Sequence, residues 1–128
     1  MKAKEAAERL VKTYLPFVQR GLPIVGLEPS CLFALKDEIP SLLKTNDAKL
    51  VSENVISFEE LLSKDKKFLK LKPLKAKALL HGHCHQKAFN VLQSVEKVLH
   101  LIEELEVEKI ETSCCGMAGA FGLSLIHI

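Results

Sequence analysis

The sequence predicts an α/β fold: a mostly parallel sheet of about three to four strands with flanking helices. Three observations predict it. Short apolar runs bounded by turn formers occur at residues 22–27, Ala76–Leu80 and 107–112, the form a buried strand takes. Stretches with helical spacing of apolar residues lie between them, at residues 32–43 and 88–105. The resulting β-α-β-α-β order supplies the crossovers that parallel strands need.

The elements follow in chain order. Residues 4–19 place Leu10, Val11, Tyr14 and Val18 on one helical face. Pro16 should kink or interrupt that helix, and Gly21 should end it. The run LPIVGL at residues 22–27 reads as a buried strand. Residues 32–43 return to helix, with a break expected at Pro40. Ser57-Phe58-Glu59-Glu60 has capping-box spacing and predicts a short helix through Leu62. Residues 64–77 hold seven lysines. Such a run reads first as a solvated connector, with docking to an acidic partner or an anionic membrane as the functional alternative. Ala76–Leu80 gives the second strand. Residues 88–105 give the clearest helix, with Ala88, Leu92, Val95, Leu99, Ile102 and Leu105 on one face. Residues 107–112 give a third strand, although Val107 and Ile110 do not alternate.

Composition narrows the function classes. The 128 residues suffice for one core, and 48% apolar with 27% charged residues is the balance of a globular protein. A net charge of +2 gives no electrostatic case for nucleic acid, and with no Trp and one Tyr there is no stacking surface. No apolar run reaches about 18 residues, so no transmembrane segment is expected. The charged N-terminus lacks the apolar centre of a signal peptide. These features predict a cytoplasmic protein with reduced thiols. Four cysteines there point to metal or catalysis before disulfides.

The cysteines are the informative residues. Cys114 and Cys115 are adjacent, and a disulfide between neighbours is strained. A metal–sulfur cluster accepts both thiolates. The Gly- and Ala-rich run at residues 116–122 lets backbone amides approach a bulky anion. Cys31, Cys84 and the Cys114-Cys115 pair each follow a predicted strand. In one parallel sheet all three loops would lie at the carboxyl edge, where α/β proteins place ligands.

Other readings of these residues remain open. His81-Gly82-His83-Cys84-His85-Gln86 combines one thiol with three imidazoles, a set suited to zinc or iron. The same histidines could cap the following helix. Cys84 activated by His83 or His85 would make a nucleophile, but leaves Cys114-Cys115 unexplained. Four cysteines match a zinc site in number, but the C-x-x-C spacing is missing. In Glu28-Pro29-Ser30-Cys31, a thiolate at the start of a helix would be stabilised by free amides. A buried Cys31 behind a Ser30 cap is the alternative, and Glu28 is expected to hold the turn. Gly116, Gly119 and Gly122 lack the Lys-Ser or Lys-Thr of a phosphate-binding loop.

Three segments carry a family resemblance. GLEPSC (residues 26–31), HGHCHQKA (81–88) and CCGMAGAFG (114–122) resemble the cysteine-rich CCG domain. That domain occurs in the cysteine-rich subunit of heterodisulfide reductase, in the iron–sulfur subunit of glycolate oxidase, and in the C-terminal part of bacterial FAD-linked D-lactate and D-2-hydroxyglutarate dehydrogenases. The resemblance covers residues 5–122 and implies an iron–sulfur-binding electron-transfer module of a flavin-dependent D-2-hydroxy-acid dehydrogenase. It further implies Cys31, Cys84, Cys114 and Cys115 as ligands, with His83, His85 and Gly116 around them. A zinc-stabilised structural or interaction domain is the alternative.

The implied partners are a flavin domain or subunit, which would hold the FAD, and a downstream electron acceptor. The sequence departs from the family in three respects. It resembles only the second of the two cysteine-rich units that the family usually carries. It has neither the flavin domain nor a ferredoxin-type C-x-x-C-x-x-C run. Its end, LSLIHI at residues 123–128, is apolar where the family continues polar. The chain is therefore read as an incomplete fragment, with residues 1–122 as the domain and 123–128 as a tail foreign to it. Such a fragment should be cytoplasmic or peripheral to the inner membrane, and should not turn over substrate alone.

Overall fold

A computed structural model describes residues 2–65 and 69–111. The chain divides into two compact units, Met1–Lys67 and Phe68–Ile128. It is α/β, as expected. Both strand pairs among the described residues are parallel, but they form two two-stranded sheets and not one.

In the first unit, α1 (Lys2–Val18) runs through Pro16 and ends two residues later. A proline so near the end removes one late hydrogen bond without breaking the helix. The buried face is Ala7, Val11 and Val18, whereas Leu10 stays exposed. Gly21, at φ +79°, closes the end. Its amide donates to Val18 O at 2.8 Å, and Leu22 N donates to Phe17 O at 3.1 Å.

Strand β1 (Ile24–Gly26) is shorter than the apolar run predicted and is not buried. Leu27, just past it, is 79% exposed. Helix α2 (Pro29–Phe33) passes into a π-helical turn, Ala34–Glu38, and then into α3 (Ile39–Leu43). The expected break at Pro40 therefore becomes a local widening of the helix. Pro40 has no N–H for the Lys36 carbonyl four residues back. Ser52 Oγ donates to that carbonyl at 2.6 Å instead.

Two elements go beyond the expected set, helix α4 (Asn46–Glu53) and strand β2 (Val55–Ser57). Thr45 caps α4 by accepting from Ala48 N at 3.3 Å. β2 is the parallel partner of β1, with Ile24 opposite Val55 and Gly26 opposite Ser57. The capping box forms as expected. Ser57 Oγ accepts from Glu60 N, and Glu60 Oε2 accepts from Ser57 N, starting α5 (Phe58–Lys64). The core joins Ala7, Val11, Val18, Ile39, Ala48 and Val51, with Tyr14, Leu15, Ile24, Leu35 and Leu43 against it.

In the second unit, β3 (Ala76–Leu80) pairs in parallel with β4 (Leu105–Lys109). The long helix expected over residues 88–105 is divided. Helix α6 (Cys84–Ala88) ends before Asn90, which adopts φ +56°, and α7 (Leu92–Leu99) follows. Asn tolerates this left-handed turn better than most residues. Leu105, expected on the helical face, instead begins β4 opposite Ala76. The third strand thus starts earlier than predicted and ends at Lys109.

One lysine of the run, Lys77, faces acidic side chains. Leu74 N donates to Glu103 O at 2.9 Å. Lys77 lies opposite Glu106 and forms an ion pair with Glu108. No helix among the described residues is long and apolar enough to cross a membrane.

Candidate metal-ligating site

Among the described residues, each unit presents one cysteine by a similar local construction. A strand ends near a glycine, a short turn follows, and a side-chain cap starts a helix whose first turn holds the thiol. In the first unit β1 ends at Gly26, and a Cβ there would lie within 3.0 Å of Leu32 Cβ. In the second unit Gly82 follows β3, and a Cβ there would lie 2.8 Å from both Leu92 methyls. Only glycine lets each backbone approach its leucine so closely.

Glu28 is the cap of α2. Its Oε2 accepts from Cys31 N at 2.6 Å and its Oε1 from Ser30 N at 3.0 Å. Pro29 occupies the first turn, where its missing N–H costs nothing. Glu28 thus holds the turn, as the sequence suggested, and Ser30 is not the cap. The amide of Cys31, and next that of Ser30, pull the Glu28 carboxyl down to about 2. The expectation for the thiol is reversed. Cys31 is exposed, and a hydrogen bond to the Glu28 carboxylate, followed by its charge, raises the Cys31 pKa. The amides that should have stabilised a thiolate already serve a carboxylate.

His83 caps α6, as the capping alternative for the histidines anticipated. His83 Nδ1 accepts from His85 N at 3.3 Å, and Gln86 Oε1 accepts from His83 N at 3.0 Å. An Nδ1 that accepts belongs to a ring protonated at Nε2. The His83 and His85 rings stack, with centroids 5.2 Å apart. Cys84 is the first residue of α6 and is exposed.

The single carboxyl edge expected for all the cysteines is not one sheet's edge. Cys31 follows a strand of the first sheet and Cys84 a strand of the second. Parallel strands form a common sheet only when their hydrogen-bonding edges meet, and β1 takes β2 as its partner. In the second unit the ends of the two strands lie side by side. β3 and β4 point the same way, and Ile110 N donates to Leu80 O at 2.9 Å. The chain therefore leaves β4 beside the turn that carries Cys84. Cys114, Cys115 and Gly116 lie outside the described residues. Among the described residues, no three His, Cys, Asp or Glu side chains gather as a metal site.

Sequence reasoning missed Gln86. Its signal is present, because His83 and Gln86 have the spacing of a capping box. The signal is weak because His is an uncommon first member.

No protein-family model matches the chain, and no solved structure is significantly similar to it. Curated relatives do match. The chain is 31% identical over 105 residues to the C subunit of anaerobic glycerol-3-phosphate dehydrogenase from Escherichia coli strain K12, and equally to the protein of that name from strain O157:H7. The match takes in 80% of this chain and 26% of each relative. Over most of its length, then, the chain is homologous to about a quarter of a dehydrogenase subunit.

Proposed function

We propose that the chain is an electron-transfer module of a flavin-dependent dehydrogenase and that it binds an iron–sulfur cluster through Cys31, Cys84, Cys114 and Cys115. The observation that carries this reading is the 105-residue similarity to a dehydrogenase subunit. Two of the proposed ligands lie among the described residues. Cys31 and Cys84 are exposed thiols in the first turn of a helix. Thiolates are the usual ligands of such clusters. When bound, the cluster supplies one-electron chemistry between a flavin and a downstream acceptor.

The substrate side is a secondary alcohol. The family resemblance implies a D-2-hydroxy acid of the D-lactate type. The relatives' name gives glycerol 3-phosphate for their complex. Both substrates present a secondary C–OH for oxidation. The partners are a flavin-bearing domain or subunit and an electron acceptor. The module works in the cytoplasm, peripheral to the inner membrane.

Anaerobic reconstitution with iron and sulfide tests the reading, with metal analysis and electron paramagnetic resonance as readouts. A paramagnetic cluster in the wild type, lost in Cys84→Ser and Cys115→Ser, is the expected result. A colourless protein with one tightly bound zinc would replace it with the zinc-stabilised structural domain.

A further inference from the structure

We propose that residues 70–75 form a docking surface for a protein partner that presents carboxylates around an apolar patch. The inference rests on the dehydrogenase-module reading only for the partner's identity, a subunit of the same enzyme. Charge is sharply divided along this part of the chain. Between Asp65 and Glu96 there is no acidic residue, and seven lysines occur. Residues 96–111 then hold six glutamates and two lysines. Pairing of β3 with β4 brings the two stretches together, yet the neutralisation is partial. Lys77 takes Glu108. Among the described residues, no ion pair holds Lys70, Lys72 or Lys75, and all three are exposed.

Residues 69–75 belong to no helix or strand, but their backbone is constrained. Pro73 fixes its own φ and keeps Lys72 extended. The Leu74 amide donates to Glu103 O at 2.9 Å, which ties the segment to the start of β4. Leu71 and Leu74 stand between the lysines, 42% and 52% exposed. A solvated connector needs only the lysines. Leucines set among free cations supply the apolar centre and charged rim of an interface. Two kinds of anionic surface answer such a stretch, a bilayer and a protein. Glu103, Glu104 and Glu106 favour the protein. They are exposed beside the segment, with Glu103 joined to Leu74 and Glu106 opposite Lys77. An anionic bilayer is negative throughout and repels them. A protein sets carboxylates against the lysines alone, and a surface of two signs also fixes how it docks.

A zero-length carbodiimide cross-linker tests this, because it joins an amine only to a carboxylate in contact with it. It is applied to the protein in its native complex, and the joined peptides are mapped by mass. Lys70, Lys72 or Lys75 should be joined to Asp or Glu of a dehydrogenase subunit. Affinity for that subunit is then measured for two exposed-site variants, Lys70→Gln/Lys72→Gln/Lys75→Gln and Leu71→Ser/Leu74→Ser. Far-UV circular dichroism controls for folding. The lysine variant should bind about tenfold more weakly at low salt, and the leucine variant at least threefold more weakly. High salt should bring the wild type towards the lysine variant. No cross-link from these lysines, or variants that bind like wild type, would overturn the proposal. Binding to phosphatidylglycerol vesicles through the same lysines, without protein cross-links, would replace it with a membrane site. Links only to residues 103–108 of a second copy would replace it with self-association. Links to an acidic protein outside any dehydrogenase would sink the dehydrogenase reading and leave the docking surface standing.

Discussion

Glu28 closes its carboxylate on the amide of Cys31 at 2.6 Å, and the same carboxylate receives the Cys31 thiol. One acidic side chain thus starts the helix and raises the pKa of a candidate ligand. The two effects have opposite signs for the two groups. The amides favour the charged carboxylate, and the charged carboxylate disfavours a thiolate.

Replacing Glu28 by Gln should therefore speed alkylation of Cys31. Removing the negative charge removes the cause of the raised thiol pKa, so more thiolate is present at pH 7 to 8. Alkylation rate against pH, read for Cys31 alone, checks this. An unchanged profile would show that the carboxylate does not govern the thiol.

Acid should weaken the same turn. The folded Glu28 pKa lies near 2 against 4.5 for the ordinary group. Its stabilisation is fully present above pH 4.5 and is lost as pH falls through about 2. At neutral pH, Glu28→Ala should cost about 0.5–1 kcal/mol, at the low end for a cap because the site is exposed. Urea unfolding at pH 7 and pH 2.5 measures both, and the cost should shrink at the lower pH.

Gly26→Ala should destabilise the first unit by about 1–3 kcal/mol, the range for a forced contact in a packed region. The new Cβ would meet Leu32, which is 3% exposed and cannot swing away. Adding Leu32→Ala should recover part of the loss, as coupling between touching residues requires. Additive losses in the double variant would show that the two positions do not press on each other.

Phe33→Ala should cost about 3–5 kcal/mol. Phe33 is 2% exposed and stands where α2 passes into the π-helical turn. Chemical denaturation followed by helical ellipticity would show the shift in midpoint. A loss under about 1 kcal/mol would mean that the cavity collapses freely.

The Lys77–Glu108 pair should contribute only at low salt. Both side chains are exposed, and such pairs are screened by added ions. The Glu108 hydrogen bond and charge raise the Lys77 pKa above its usual 10.5. Its contribution is full below pH 10.5 and is lost as pH rises through the folded value. Melting of wild type against Lys77→Met, at low and high salt, should differ only at low salt.

The local punctuation of the fold is legible in the residues. The Ser57–Glu60 capping box and the Gly21 helix end each join groups three to five positions apart. Such spacing is printed in the sequence, and so is the strand Ala76–Leu80. The four-cysteine site is proposed from the chemistry of those residues, and Cys114 and Cys115 lie outside the described residues.

Tertiary structure decided what depends on distant partners. Strand β1 was expected in one sheet with the other predicted strands, but it pairs with β2, 31 positions along the chain, in a segment too short to show a period. The proline break became a π-helical turn because Ser52 supplies a hydroxyl to Lys36 O from 16 positions away. Leu105 left the helical face because Ala76 offers it a strand partner. The Cys31 pKa is raised and not lowered because the Glu28 carboxylate accepts from its thiol and places a negative charge beside it. Amino-acid order reveals which groups want partners. When several partners compete, the folded chain brings one within hydrogen-bonding distance, and that one prevails.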